Sequence, residues 1–573
     1  MKIIYLFLLS LFLSGCSLLG VHLKVENPKR AGKYPKFSES TKLLGTLNST
    51  YRDCFDATYY DLNVIVDEKK KFLKGTVIMN ASAVSDFDTL QMDLYQNMIV
   101  KKIQLTTNIN ESKWEEVKYT RKHGAIYINT TQKIRTGEKF KITIDYEGIP
   151  VESKKPPWDG GFVWKKDKQN NPWIGVACES KGASLWWPCK DVTNDEPDSI
   201  SISITASKNL VSVSNGQLKS KTEKGELTTY KWFVSYPINL YNVTLYMGNF
   251  KLLSDSLKNP QTGKTLPINH YVLAPNYDLA KKHFVQAKEQ IAFFEKTFGE
   301  YPWYLDGYKL VESPYEGMEH QSAIAYGNGF KNGYQPFDYI ILHETAHEWW
   351  GNSITAADLA DVWLHEGFAT YCEALFVEST QGKNAYLRYM YYYRIFIENK
   401  YPIIGPENRR YFDYRNSDCY QKGAWVLHTL RSQINNDTIF FDIMKSFYST
   451  YRYKTCTSED FIDIVNKKTN NEYGWFFKQY LHKRESPILE YYWDKQKFYY
   501  RWSNVDADFK IPIELYLDKI IKITLFPKMS DKLVQVIPIS SETYKEISFD
   551  DSFRLYGTKE NKKLKKMGVI ETE

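Results

Sequence analysis

The sequence of 573 residues has no Cys-x-x-Cys pair, which argues against a thiolate metal site. Beyond its first residues it has no apolar run of about 18, so no internal membrane-crossing helix is expected. It has no internal repeat and no low-complexity tract, and 43% hydrophobic with 25% charged residues is an ordinary globular composition. Charge of one sign is scarce as well. The 75 basic and 68 acidic residues leave a net charge of +7 over a large surface, without the clustered basic stripe that nucleic-acid binding requires. No nucleic-acid partner is expected. Histidine is rare, at ten residues, so two of them at a helical spacing carry information.

What the sequence does hold begins at its N-terminus. Met1-Lys2 gives a positive start, Ile3 to Leu13 is an apolar stretch too short to span a bilayer, and Leu13-Ser14-Gly15-Cys16 follows. This is the pattern of a cleaved secretory signal over residues 1–15. The tetrad resembles the bacterial lipobox, which implies that Cys16 becomes the lipidated first residue of the mature chain and its membrane anchor. Ser17, with no acidic residue after the cysteine, implies the outer membrane of the cell envelope, facing the periplasm. The six remaining cysteines permit many pairings that sequence cannot choose between, and no disulfide is assigned.

A chain of this length exceeds one compact core and predicts roughly three or four domains, and its 44 tyrosines favour sheet-rich parts and aromatic-lined clefts. After a polar tether over residues 16–45, period-two stretches such as Leu62 to Val66, Gly75 to Met79 and Ile200 to Ile204 predict a large β domain over residues 46–255. The period then changes. Apolar residues recur at three and four from Asp278 to Phe298, and helices are predicted over Ile340 to Trp350, Val362 to Gln381, Lys422 to Ile434 and Ile439 to Tyr451. Another is capped at Thr457-Ser458-Glu459-Asp460. These make an α-rich middle domain over residues 256–485. Alternation returns in Phe498 to Trp502, Ile511 to Leu517 and Ile520 to Phe526, so a small β-sandwich over residues 486–573 closes a multidomain α+β chain. Its charged end, Lys559 to Glu573, is expected to fray.

Chemistry concentrates in His343-Glu344-Thr345-Ala346-His347, inside one of the predicted helices. Residues four apart share a helix face, so both imidazoles can reach one ion while Glu344 can reach a water bound to it. The pattern arises by chance in roughly one chain in a hundred of this composition. An open catalytic site needs a third protein ligand, and Glu366 in Trp363-Leu364-His365-Glu366-Gly367 offers a carboxylate nineteen residues after His347. The donor set fits one zinc ion, though His, His and Glu would also hold other divalent metals.

These two helices resemble those of the gluzincin metallopeptidases. Glu316-Gly317-Met318-Glu319-His320-Gln321 narrows the resemblance: it is similar to the Gly-x-Met-Glu-Asn signature of the aminopeptidase N family, with Glu316 and His320 in place of the usual Gly and Asn. The resemblance implies a thermolysin-like catalytic domain between the β domain and the sandwich. It implies a zinc-dependent aminopeptidase acting on peptides with a free N-terminus. Glu344 is then the general base, Glu319 binds the substrate ammonium, and Gly317 and Met318 are its substrate-binding neighbours. Val176-Ala177-Cys178-Glu179 resembles the segment of a second amine anchor, Glu179, and Tyr420-Gln421-Lys422-Gly423 resembles the string whose tyrosine, Tyr420, stabilises the oxyanion. His365 stands where the family has Asn. The large C-terminal helical domain of longer members has no counterpart in the residues after Ser486. Relatives that open a lipid epoxide at such a site, and a non-catalytic peptide-binding lipoprotein, are the alternative readings. Oligomeric state and the preferred N-terminal residue are not legible.

Overall fold

A computed structural model describes residues 32–45, 47–108, 113–179, 181–410 and 416–572; the expected signal segment and Cys16 lie outside the described residues. In the strand Phe55–Asp67, Leu62, Val64 and Val66 are buried and the residues between them are not, the period of two that a sheet with one covered face demands. This strand lies inside an eight-stranded sheet. It pairs antiparallel with Phe72–Ala83, Leu62 opposite Val77, and parallel with Ser199–Ser207, Leu62 opposite Ile202. A four-stranded sheet shares its core, and the strand Pro172–Ala177 of that sheet delivers the chain to Glu179.

A five-stranded sheet joins the β part to the helical part. Its strands lie in the order Phe250–Lys258, Thr265–Leu273, Leu310–Glu312, Ile324–Tyr326, Gly317–Met318, and their side chains alternate between two cores. Leu266, Ile268 and Val272 enter the helical core, whereas Tyr271 and Leu273 enter the β core. Leu310 and Ile324 go one way, Val311 and Ala325 the other. The boundary expected at residue 255 therefore falls within the strand Phe250–Lys258, which pairs along its length with Thr265–Leu273.

Two helices are shorter than their periodicity predicts. The stretch from Asp278 to Phe298 is divided into Tyr277–His283 and Gln286–Thr297. At the break His283 turns to Asp338, Nε2 to Oδ2 2.9 Å, and Phe284 meets the Tyr326 ring edge-on. The helix carrying the histidine pair runs over Tyr339–Ala346 and stops well before Trp350. Asp338 is its N-cap, with Oδ1 accepting the Ile340 N–H at 3.0 Å. The chain turns away at Gly351, whose φ of +118° suits glycine, and Gly351 N–H donates to the Ile354 carbonyl.

The long helix Trp363–Gln381 crosses Gln421–Ile434 where Gly367 faces Gly423: a Cβ on Gly367 would lie 3.0 Å from both the Gly423 Cα and the Cys419 carbonyl. Only backbone fits at this crossing. Helix Ser458–Thr469 carries the expected capping box, Thr457 with Asp460. The terminal part consists of a five-stranded and a three-stranded sheet. Its end does not fray as the charge pattern suggested. Gly557–Glu560 and Gly568–Glu571 pair parallel with Ile488–Trp493 and Leu533–Ile537, and the fully buried Leu564 anchors the lysine-rich turn between them. The six cysteines of the described residues are buried and unbridged. Among the described residues no helix is long and apolar enough to cross a membrane.

Candidate active site

The helix Tyr339–Ala346 and the long helix Trp363–Gln381 bring three donors together. His343 and His347 point their Nε2 atoms at each other across 3.1 Å, and Glu366 Oε2 lies 3.4 Å and 3.5 Å from those same nitrogens. The other imidazole nitrogens are already committed. His343 Nδ1–H donates to Glu373 Oε1 at 2.9 Å and His347 Nδ1–H donates to the Trp350 carbonyl at 2.9 Å. With the protons on Nδ1, both Nε2 atoms offer lone pairs, and Glu366 Oε2 is a buried oxygen without a hydrogen bond. Three lone-pair donors facing one another fit a His, His, Glu cation site. Burial works to raise the Glu366 carboxyl; when no ion is bound and the two imidazoles take up protons, their charge outweighs burial and holds it below the usual carboxylate range.

Glu344 lies against the strand Gly317–Met318, and a Cβ on Gly317 would overlap its carboxylate. Glycine at 317 is thus required by the close approach of backbone to a side chain. Burial pushes the Glu344 carboxyl up to about 8, with His343 opposing and Glu319 and Glu366 adding to the rise. The Glu319, Glu344 and His347 donor atoms lie within 4.8 Å of one another, as do those of Glu179, Glu319 and Glu366. The structure therefore gathers His343, Glu344, His347, Glu366, Glu319 and Glu179 around one point.

Glu319 is held from two sides. Its carbonyl accepts from Asn352 Nδ2 at 2.8 Å. Its Oε1 accepts from the Tyr241 hydroxyl at 3.3 Å, and Tyr241 in turn lies 3.5 Å from His365 Nδ1. Because Ala356 N–H donates to His365 Nε2 at 2.7 Å, the His365 proton sits on Nδ1 and points to the tyrosine. Burial pushes His365 down to about 3, so the ring is neutral, and burial with Glu319 and Glu179 keeps Tyr241 a hydroxyl. His365 thus positions the Glu319 carboxylate through Tyr241 while standing next to Glu366 in the chain.

Tyr420 precedes the helix Gln421–Ile434, and its ring lies parallel to that of His343 at 6.4 Å between centroids. The Gly367 and Gly423 crossing places it there. Met318 differs from the other expected residues: its side chain is buried in the β core. Tyr315 and Gln321 are likewise turned inward, Tyr315 donating to the Val176 carbonyl and Gln321 to the Pro237 carbonyl. His320 is buried, with Nδ1 2.6 Å from the Tyr246 hydroxyl.

Sequence reasoning missed Glu373. It lies two helical turns beyond Glu366 on the same face, and its Oε2 accepts the Tyr389 and Tyr393 hydroxyls at 2.6 and 2.5 Å. A carboxylate inside the apolar run Ala369 to Val377 was the available signal. Tyr241 and Asp338 left no such mark, because their roles depend on partners distant in the chain.

Comparison with known proteins finds two family domains in the chain. The Peptidase M1 N-terminal domain matches residues 56–241 and the Peptidase family M1 domain matches residues 283–480. Leucine aminopeptidase 2 of Neurospora crassa is 26% identical over 351 residues, 58% of this chain and 49% of the relative. Probable aminopeptidase 2 of Sulfurisphaera tokodaii is 22% identical over 429 residues, 67% of this chain and 51% of the relative. The chain thus spans about half the length of these relatives. Among solved structures, an M1 zinc metallopeptidase from Deinococcus radiodurans superposes with a TM-score of 0.65 at 20% identity, covering 77% of this chain and 96% of that one. A mutant of that protein bound to a Tyr-Ser-Ala substrate gives 0.64. At this identity the likeness speaks for the fold. Since both domain profiles occur in chain order and together span well over half of the sequence, the chain belongs to peptidase family M1.

Proposed function

We propose that this protein is a zinc-dependent aminopeptidase that removes N-terminal residues from peptides. The observation that carries the reading is the triple of Glu179, Glu319 and Glu366 oxygens within 4.8 Å. Carboxylates so close repel one another unless a cation lies among them, and a substrate α-ammonium beside the metal ligand supplies it. An endopeptidase has no use for such a cluster. The aminopeptidase names of the M1 relatives support the same substrate class.

His343, His347 and Glu366 hold the zinc ion, which when bound acidifies water and polarises a carbonyl. Glu344 accepts the proton of the attacking water and returns it to the leaving amine. Its buried carboxyl, raised above the usual range, is suited to giving a proton back as well as taking one. Glu319 and Glu179 pair with the ammonium and fix which peptide bond meets Glu344. The Tyr420 hydroxyl donates to the oxygen that gains charge.

The test is hydrolysis of free-amine and amine-blocked aminoacyl-arylamides by wild type, Glu344→Gln and Glu319→Ala. Chelator-sensitive cleavage of free-amine substrates alone, abolished by the first change and strongly weakened by the second, is expected. Cleavage of blocked substrates sinks the exopeptidase assignment. We propose in addition that Cys16 is lipidated and tethers the enzyme to the outer membrane, facing the periplasm; the signal-like residues 1–15 support this. Cys16→Ala should then release the protein from the membrane fraction, and an unchanged distribution would refute it.

A further inference from the structure

A substrate held by its ammonium at Glu179 and Glu319, with its carbonyl at the histidine pair, has one group left to place: the side chain of its first residue. A cavity opens beside Glu179 and Tyr241, bounded further by Leu359 and Arg410. Most of its wall lies within the two family domains, Val192, Thr193, Asn239 and Asp358 among it, but one part comes from outside them. Leu44, Gly45 and Leu47 line it, and the first matched family domain begins only at residue 56.

Residues 32–45 and Leu47 reach this position as a strap fastened at both ends. On the helical side, Tyr34 stacks on Tyr401 at 4.6 Å, the Arg409 guanidinium lies over Phe37, and Leu47 N–H donates to Asn408 Oδ1 at 3.0 Å. Gly45 is pressed against the backbone of Asn408 to Arg410, leaving no space for a side chain. On the β side, Glu39 pairs with Lys122 and Leu44 packs on Gly124. The strap therefore bridges both domains directly over the cavity.

Three charged groups of the lining are engaged within the protein. Arg410 pairs with Asp191 at 2.7 Å, and Asp358 accepts the N–H groups of Ala360 and Asn408 at 2.9 and 2.7 Å. The aliphatic part of the lining is Leu44, Leu47, Leu359 and Val192, beside the polar Thr193 and Asn239. The free volume is about 30 Å³, room for roughly two waters and not for an aromatic ring.

We infer that the strap is a specificity element: Leu44 and Leu47 narrow the side-chain pocket and restrict the first residue of the substrate to a small one. The inference rests on the aminopeptidase reading. It is tested on the full chain by kcat/KM for alanyl-, leucyl- and phenylalanyl-arylamides with wild type, Leu47→Ala and Leu47→Trp. Leu47 is half-buried and makes its strap hydrogen bond through the backbone, so both variants keep that bond. Wild type should prefer alanyl. Leu47→Ala should raise the phenylalanyl-to-alanyl ratio about tenfold or more, the scale of a few methylenes in a pocket, and Leu47→Trp should lower the leucyl-to-alanyl ratio. Leu44→Ala should act like Leu47→Ala, and ratios within one preparation are insensitive to the fraction folded. Ratios unmoved in all variants, or a wild type that prefers phenylalanyl, would overturn the strap while leaving the aminopeptidase intact. A zinc-loaded wild type that cleaves none of the three overturns the aminopeptidase reading, and this pocket with it.

Discussion

Glu373 offers a test of how the metal site is held. It touches neither substrate nor metal, yet it fixes the proton of His343 on Nδ1 and so frees Nε2. A hydrogen bond to a charged acceptor contributes about 1.5–3 kcal/mol against about 1 for a neutral one. Glu373→Gln keeps an acceptor oxygen of the same reach and loses roughly 1–2 kcal/mol, which corresponds to about tenfold weaker zinc binding. Glu373→Ala removes the acceptor and should approach about a hundredfold. The alanine variant also strips the Tyr389 and Tyr393 hydroxyls of the oxygen they share, so it should lower thermal stability as well, whereas glutamine should largely spare it. Competition with a chromogenic chelator gives the zinc affinity directly, and kcat at saturating zinc separates loss of metal from loss of chemistry. Zinc affinity within about twofold of wild type in both variants would refute the argument, because a ligand orientation worth this much cannot vanish unnoticed.

Two other consequences are more local. Gly317→Ala places a methyl group in the Glu344 carboxylate and 3.0 Å from Ile340 Cγ2; kcat should fall about a hundredfold through displacement of the base, with zinc affinity retained by the chelator assay. His320 is buried and held down to about 3 from 6.5, by burial. A depressed folded value means that the unfolded chain takes up a proton between pH 6.5 and about 3 that the folded one refuses, so this stability is present above 6.5 and is lost as pH falls. His320→Asn should therefore flatten the acid limb of stability against pH by about 1.4 kcal/mol per pH unit in that window, measured by denaturant unfolding at a series of pH values. Parallel curves for the two proteins would contradict it.

The parts of the molecule legible in the sequence are those governed by local geometry. The spacing of His343 and His347 follows from 3.6 residues per turn, and the Thr457 and Asp460 box is written in four consecutive residues. The helix break at Phe284 was not legible, because it depends on Asp338 reaching His283 from 55 residues away. Met318 reads as a substrate neighbour from its motif, yet strand alternation sends its side chain into the β core. The charged end suggested fraying since lysines dominate it, but one buried leucine and two parallel pairings outweigh them. Glu373 was the one missed residue with a usable signal, a carboxylate within an apolar helix.

The same alternation explains how Glu319 and Glu344 are kept in register. Gly317 backs onto the Glu344 helix, and Met318, the next residue, is sunk in the other core. Glu319 follows immediately, so its distance from Glu344 is set by a single short strand whose neighbours belong to different domains. The strand Ile324–Tyr326 that pairs with it divides its side chains in the same way, Ile324 and Tyr326 to the helical core and Ala325 to the β core. Neither domain alone fixes the spacing of Glu319 from Glu344; their shared sheet does. Because cores are close-packed, an overpacking change at Ala325, buried on the β-core face, should shift Glu319 while leaving His343, His347 and Glu366 in place, and so should cost cleavage of free-amine substrates more than zinc affinity.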